Sequence, residues 1–272
     1  MKMRSDLDGT DLFNLLMMDP PRAEDSLVVV EGESDFNLLA DFLRSDKVDV
    51  VVGYGKRSLL EAAVLASSAL TRAVFLVDAD FDRLNGAADA YPDNVVLTDM
   101  YDLYMDACNA DELCLRRVSR RYLEETELDP QEGVTRAFDA ALQIGAVRFA
   151  SIVNEHFLNM KQFPLRQVMD KSSLAVGIRD VVELALLRTE HVPPNKEAIV
   201  GEAEVALKEV DVWLLVNSHD LLSALRFCFE CFSGVKIAHR LDDLFELSID
   251  RAVFDNLPVI ERVRSRLSAP PR

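Results

Sequence analysis

Val28-Val29-Val30-Glu31-Gly32-Glu33-Ser34-Asp35 decides how this chain is read, together with its echo Val74-Phe75-Leu76-Val77-Asp78-Ala79-Asp80-Phe81-Asp82. Each is a short, largely β-branched run that stops abruptly in carboxylates. An apolar run of this length, bounded by polar residues, predicts a strand buried on both faces. Carboxylates crowded at the end of such a strand repel one another and lose hydration, so they call for a cation. The cation that suits an all-oxygen cluster is Mg²⁺ or Mn²⁺. The stretch therefore points to a metal-dependent enzyme acting on phosphates.

Working outward, the first hundred residues alternate. A strand is predicted over 26–31, then an amphipathic helix from Asp35 to Arg44 with Phe36, Leu38, Leu39, Phe42 and Leu43 inward. A second strand runs from Lys47 to Gly53, Gly53-Tyr54-Gly55 turns the chain, and an Ala/Leu-rich helix covers Arg57 to Leu70. Arg72 to Val77 and Asp93 to Asp99 are the third and fourth strands, and a helix through Leu103 and Met105 follows. Strands alternating with helices across short turns predict βα units and a parallel sheet flanked by helices. In such a sheet Glu31, Asp78 and Asp99 all fall at the carboxyl edge, where open α/β sheets place their sites.

Beyond residue 110 the pattern becomes helical, predicting segments over 111–126, 132–159, 173–189 (ended by His191-Val192-Pro193-Pro194) and 195–209. Ala137, Phe138, Ala141, Leu142, Ile144, Ala146, Val147 and Phe149 form a thick apolar stripe. Asp211-Val212-Trp213-Leu214-Leu215-Val216 reads as a late strand, and helix 221–232 follows Asn217-Ser218-His219-Asp220. A last helical tract from Ile237 to Leu267 is interrupted near Pro258, and Ser268 to Arg272 reads as a disordered tail. The expected organisation is an α/β core over 24–110, a helical region over 111–210, and a stretch over 211–272 that can rejoin the core.

Composition narrows the function. Forty-seven acidic against thirty basic residues give a net charge of −17, which excludes a protein that coats duplex DNA through its general field. No run of eighteen uncharged apolar residues occurs and the N-terminus is acidic, so the expectation is a cytoplasmic protein without a membrane span. The four cysteines suit a reducing compartment. Cys228-x-x-Cys231 lies in an apolar helical run and reads as core packing rather than half of a zinc site.

Several residues have two readings. Arg116, Arg117, Arg120 and Arg121 lie at i, i+4 spacing and form either a basic ridge for substrate phosphate or a solvated face paired to Glu124, Glu125 and Glu127. Gly55-Lys56-Arg57-Ser58 is no Walker loop, because Val50 stands where the first glycine would be, yet Lys56 can still contact a phosphate. Asp35 either serves the site or is a helix-start acid favoured by the dipole, and Glu33 and Ser34 are helix-start residues. His219 reaches the site only if 212–216 joins the sheet. His156, His191 and His239 show no partner pattern. No Gly-x-Ser-x-Gly element or Cys-His signature supports acyl chemistry.

Strand-Glu31-Gly32-x-x-Asp35 followed by strand-Asp78-x-Asp80 resembles the Toprim-domain family, shared by topoisomerases, bacterial primases and OLD-like nucleases. Gly53-x-Gly55-Lys56, Asp78-Ala79-Asp80-Phe81-Asp82, Thr98-Asp99-x-x-Asp102 and Ser218-His219-Asp220-Leu221-Leu222 are similar to the branch that includes the toprim effector of the PARIS anti-phage defence system. The motifs cover about residues 26–105, and the looser likeness extends through 232. One departure stands out: Tyr104 occupies the position where a further glutamate is expected.

The resemblance implies a toprim-like fold and a metal-dependent nuclease of antiviral or toxin type. Glu31 would act as general acid/base or share the metal, Asp78 and Asp80 would hold Mg²⁺ (or Mn²⁺), and Asp82 would be a third ligand. Asp99 and Asp102 are candidates for the metal or its surroundings, Asp35 and His219 for catalysis, and Lys56 with the four arginines for substrate. The implied partners are nucleic acid, with RNA and specifically tRNA ahead of DNA, and an ABC-type ATPase that restrains the effector; a homodimer is compatible with this. The rival reading is a non-catalytic module whose degenerate acidic site senses metal or nucleotide, or simply docks.

Overall fold

The computed structural model describes residues 7–18, 26–43, 47–70, 72–190, 195–237 and 241–268. The tail beyond Ser268, together with His191 and His239, lies outside them. The chain divides into two compact units, residues 1–110 with 250–272, and residues 111–249. Residues 111–210 and 211–249 thus share one unit, while the last helices belong with the sheet.

The first unit opens with α1 (Gly9–Met18), β1 (Ser26–Val30), α2 (Glu33–Leu43), β2 (Val48–Val52) and α3 (Lys56–Ala66). It continues with β3 (Ala73–Val77), the single turn α4 (Asp82–Asn85), β4 (Val95–Leu97) and α5 (Leu103–Ala110). The second unit holds α6 (Leu113–Leu123), α7 (Pro130–Val153), α8 (Ile178–Leu187), α9 (Lys196–Glu209), α10 (Val212–Leu215), α11 (Ser218–Ser233) and α12 (Leu241–Glu246). α13 (Arg251–Asp255) and α14 (Pro258–Ser268) close the first unit.

The sheet has the order β2-β1-β3-β4 and every pair is parallel. The molecule is therefore α/β with a four-stranded parallel sheet flanked by helices. Strands β1 and β3 lie in the centre and are buried at all five positions, as their unbroken apolar sequences demand. On one face Leu27, Val29, Phe75 and Val77 pack with Leu12 and Leu16 of α1 and Leu59, Ala62, Ala63 and Ala66 of α3. The alternate residues Val28, Val30, Val74 and Leu76 are equally buried, and α14 lies along β3 and β4. The α2 residue Phe42 stacks on Phe254 of α13 at 4.1 Å.

In the second unit α7 is the longest helix and packs against α9, α11 and α6. Asp129 caps it, accepting from the backbone N–H groups of Gln131 and Glu132, with Pro130 at the first helical position. It ends at Val153, short of the expected 159, and α8 begins at Ile178 rather than near 173.

The late strand is corrected: 212–215 is a short helix, α10, and the four strands above make up the described sheet. An apolar run this short satisfies either period, so its surroundings decide. Asp211 caps it by accepting from Trp213 N–H, and Trp213 meets Phe138 edge-on at 5.0 Å. A β-carbon on Gly145 of α7 would lie 2.0 Å from the Leu215 carbonyl oxygen, so only glycine lets the two segments meet. Among the described residues no helix is long and apolar enough to cross a membrane.

Candidate functional site

The carboxyl edge of the sheet gathers acids from three strand ends. Glu31 follows β1 directly, and its Oε1 accepts a 3.0 Å hydrogen bond from the backbone N–H of Asp78, which follows β3 directly. The two central strands are thus stitched together where their apolar runs end. Gly53 and Gly55 donate backbone hydrogen bonds to the carbonyls of Val30 (2.7 Å) and Glu31 (3.0 Å), drawing the β2–α3 loop over the same edge. That loop turns through the left-handed region, with φ 59° at Tyr54 and 104° at Gly55, and so delivers Lys56 to the edge.

Lys56 is the cation of the edge. Its Nζ lies 2.8 Å from Asp80 Oδ2, 2.5 Å from Asp82 Oδ2 and 2.7 Å from the Asp78 carbonyl oxygen. Tyr91 donates its hydroxyl to the same Asp82 oxygen at 2.5 Å. The Asp80 backbone adopts φ 45°, an uncommon conformation for a residue other than glycine. It is held there by its N–H bond to the Tyr101 carbonyl, while Ala79 N–H bonds Thr98 Oγ1. The Lys56 ammonium is held well above its ordinary range by Asp80 and Asp82, which outweigh its burial.

The remaining acids are less well matched. Burial pushes the Asp78 carboxyl well above its usual range, and the charges of Asp35, Asp102, Glu31 and Asp80 add to this. Glu31 rises from 4.5 to about 7: burial dominates, Lys56 opposes it, and Asp80 and Asp35 reinforce it. Six carboxyl groups, those of Glu31, Asp35, Asp78, Asp80, Asp82 and Asp102, thus interact around one lysine. Asp35 sits in the first turn of α2 and accepts from Gly32 N–H at 3.2 Å, which is the helix-start role; it also bears on both Glu31 and Asp78. Asp102 is buried and caps α5, accepting from Met105 N–H at 2.9 Å.

The structure redirects other expected members. Asp99, the candidate from β4, is turned toward arginines instead: Arg262 of α14 at 2.8 Å and Arg83 at 3.7 Å. Both contacts fall on Oδ1, and the buried Oδ2 has no hydrogen-bond partner among the described residues. Tyr104, where a glutamate was expected, is buried, with its hydroxyl directed at the Ser34 carbonyl. His219 is exposed in the first turn of α11, and the strand that was to carry it back to the sheet is absent. Its neighbour Asp220 is instead structural, gripped by Arg148 at 2.9 and 3.1 Å.

The arginine ridge of α6 is partly self-neutralised. Arg120 pairs with Glu124 at 2.9 Å; Arg117 pairs with Asp111 and donates to the Ser248 carbonyl at 2.9 Å. Arg116 and Arg121 are exposed, and among the described residues no ion pair involves them. Arg117 and Arg121 border a cleft of about 300 Å³ with Val118, Leu244, Leu247 and Ser248. Cys228 is buried and Cys231 exposed, both as free thiols, and burial pushes the Cys228 thiol up to about 12. His156 does have a partner, Glu202 at 2.5 Å.

Two residues of the edge were missed in the sequence. Asp106 is buried and accepts from Asp99 and Met100 N–H at 3.1 and 2.6 Å, holding the turn after β4. Burial raises its carboxyl from 3.8 to about 7 despite these bonds. Tyr91 was missed because a lone tyrosine after Ala90 carries no motif; only the fold brings it to Asp82.

In donor chemistry and charge demand the edge suits a hard divalent cation: oxygen donors only, in excess negative charge. As the side chains stand, however, no three His, Cys, Asp or Glu among the described residues converge to hold a metal ion, and an ammonium joins Asp80 to Asp82. No family model matches the chain, and no curated protein sequence does so.

Proposed function

We propose that this chain is a metal-dependent phosphodiesterase acting on nucleic acid, with its site at the carboxyl edge of the parallel sheet. One observation carries the reading: Glu31 and Asp78 directly follow adjacent central strands, the Glu31 carboxyl accepts from the Asp78 backbone N–H, and both carboxyls are pushed toward protonation by burial and by neighbouring carboxylates. Proteins seldom hold such an arrangement for stability, since each crowded carboxylate costs free energy. Asp78, Asp80 and Glu31 are the residues that would hold Mg²⁺ or Mn²⁺, with Asp82 beside them. The ion would polarise a phosphoryl oxygen and ease formation of a hydroxide nucleophile. Where Glu31 serves as general acid/base rather than as a ligand, its carboxyl, pushed up to about 7 by burial, is suited to pass a proton at neutral pH.

The likeness of the motifs to Toprim nucleases supports the reading, and their likeness to the PARIS branch extends it to a defence effector that cuts tRNA under an ABC-type ATPase. A net charge of −17 supports a partner or a local patch rather than a general field as the means of meeting nucleic acid. Arg116 and Arg121, the arginines of the ridge without an ion pair among the described residues, are the ones to supply local grip on phosphate. The rival reading, a non-catalytic sensing or docking module, draws on Tyr104 at the expected glutamate position and on the Lys56 bridge.

Cleavage assays on tRNA, single-stranded RNA and duplex DNA, with Mg²⁺ or Mn²⁺ and after induced expression in cells, separate the two. Glu31→Gln and Asp78→Asn should lower cutting by about 10²–10⁴ with the fold intact. Full cutting by both variants would overturn the assignment of Glu31 and Asp78 to the site; no cutting by the wild type on any substrate with either metal would favour the docking module. Broken genomic DNA beside intact tRNA would overturn the RNA assignment alone.

A further inference from the structure

Three oxygens from one short stretch of chain, the Asp78 carbonyl and the Asp80 and Asp82 carboxylates, meet at a single point 2.5–2.8 Å from Lys56 Nζ. That is a cradle for a cation, and the protein fills it with its own ammonium. The cradle is built with care. Asp80 is held at φ 45° to present its carboxylate, Asp82 is steadied by the Tyr91 hydroxyl, and Lys56 arrives from a loop that needs φ 104° at Gly55.

We propose that Lys56 is a resident counter-cation that competes with the divalent ion for Asp80 and Asp82, and so sets the metal affinity of the edge. This rests on the metal reading above and deepens it. An ammonium and a divalent ion cannot share the same carboxylate oxygens without strong repulsion, so binding of the ion requires Lys56 to release them. The released ammonium then stands at the edge as a donor for a substrate phosphate. Without metal the lysine keeps the crowded acids from splitting the edge; with metal it is freed for substrate.

Metal titration by calorimetry, with Mg²⁺ and with Mn²⁺, tests the proposal on the full chain without any substrate. Lys56→Met should bind the ion about tenfold or more tightly than wild type, since it removes the competing charge. Its melting temperature without metal should fall, and added metal should raise it by more than it raises wild type. Lys56→Arg, which keeps a charge in place, should not gain affinity. Lys56→Gln, which also removes the charge while keeping a polar head, should gain affinity in the same direction. Binding by Lys56→Met no tighter than wild type would overturn the competition while leaving the metal reading intact. Absence of binding in both proteins would overturn the metal reading and this inference with it. Should Lys56→Met fail to fold even with metal, unchanged affinity in Lys56→Gln would overturn the inference.

Discussion

The two units treat buried charge in opposite ways. In the helical unit Asp220 is buried and answered: Arg148 grips both its oxygens, Asn217 Nδ2 donates at 2.9 Å, and Arg148 Nη1 donates to the Met160 carbonyl at 2.7 Å. In the α/β unit Glu31 and Asp78 are crowded by carboxylates, and Lys56 beside them is committed to Asp80 and Asp82. The first arrangement joins α7 to α11 and has no charge left over. The second retains excess negative charge at a sheet edge, which is where binding chemistry is found. A buried carboxylate by itself is therefore no sign of a site; the absence of a matching cation is.

The sharpest break of this contrast is at Asp220. Asp220→Ala strands the Arg148 guanidinium, whose side chain is only 17% exposed, and should cost about 3–5 kcal/mol. Denaturant unfolding at pH 7 measures it. A loss below about 1 kcal/mol would mean that the pair is not the structural clamp described.

The next effect has the opposite sign. Because the Glu31 carboxyl is raised from 4.5 to about 7 in the folded state, the folded protein binds a proton that the unfolded chain has released. Its contribution is therefore complete below about pH 4.5 and is lost as pH rises through about 7. Asp106, also raised to about 7, acts in the same direction. Glu31→Gln should accordingly stabilise the metal-free protein above pH 7 by on the order of 1–3 kcal/mol and change little at pH 5. Melting temperatures of both proteins across pH 5–8 test this. A stability difference that does not change with pH would remove the strained carboxylate from the picture.

The smallest effect belongs to the surface. Arg120 and Glu124 form an exposed i, i+4 pair, and such pairs are screened by water and salt. Arg120→Ala should leave the denaturation midpoint unchanged within error. A clear loss would show that exposed pairs, and not only buried ones, matter to the helical unit.

What the sequence by itself determined was the sheet and the identity of its acidic edge. Val28 to Val30 and Val74 to Val77 can satisfy their backbones and their apolar side chains together only in central strands, and alternation with helices makes those strands parallel. Glu31 and Asp78 then fall at one edge because each sits one residue past a strand end. Tertiary structure decided how the charges are matched, because counter-ions are chosen by distance in space. Lys56 reaches Asp80 and Asp82 from the start of α3, which follows β2, a strand separated from β3 by β1, and Arg262, far along the chain, takes Asp99. Burial, which raises Glu31 and Asp106 alike, likewise exists only once the helices have packed. The run 212–216 lies between the two cases. Its apolar pattern fits strand and helix equally, and the cap at Asp211 with the close approach of Leu215 to Gly145 turned it into a helix.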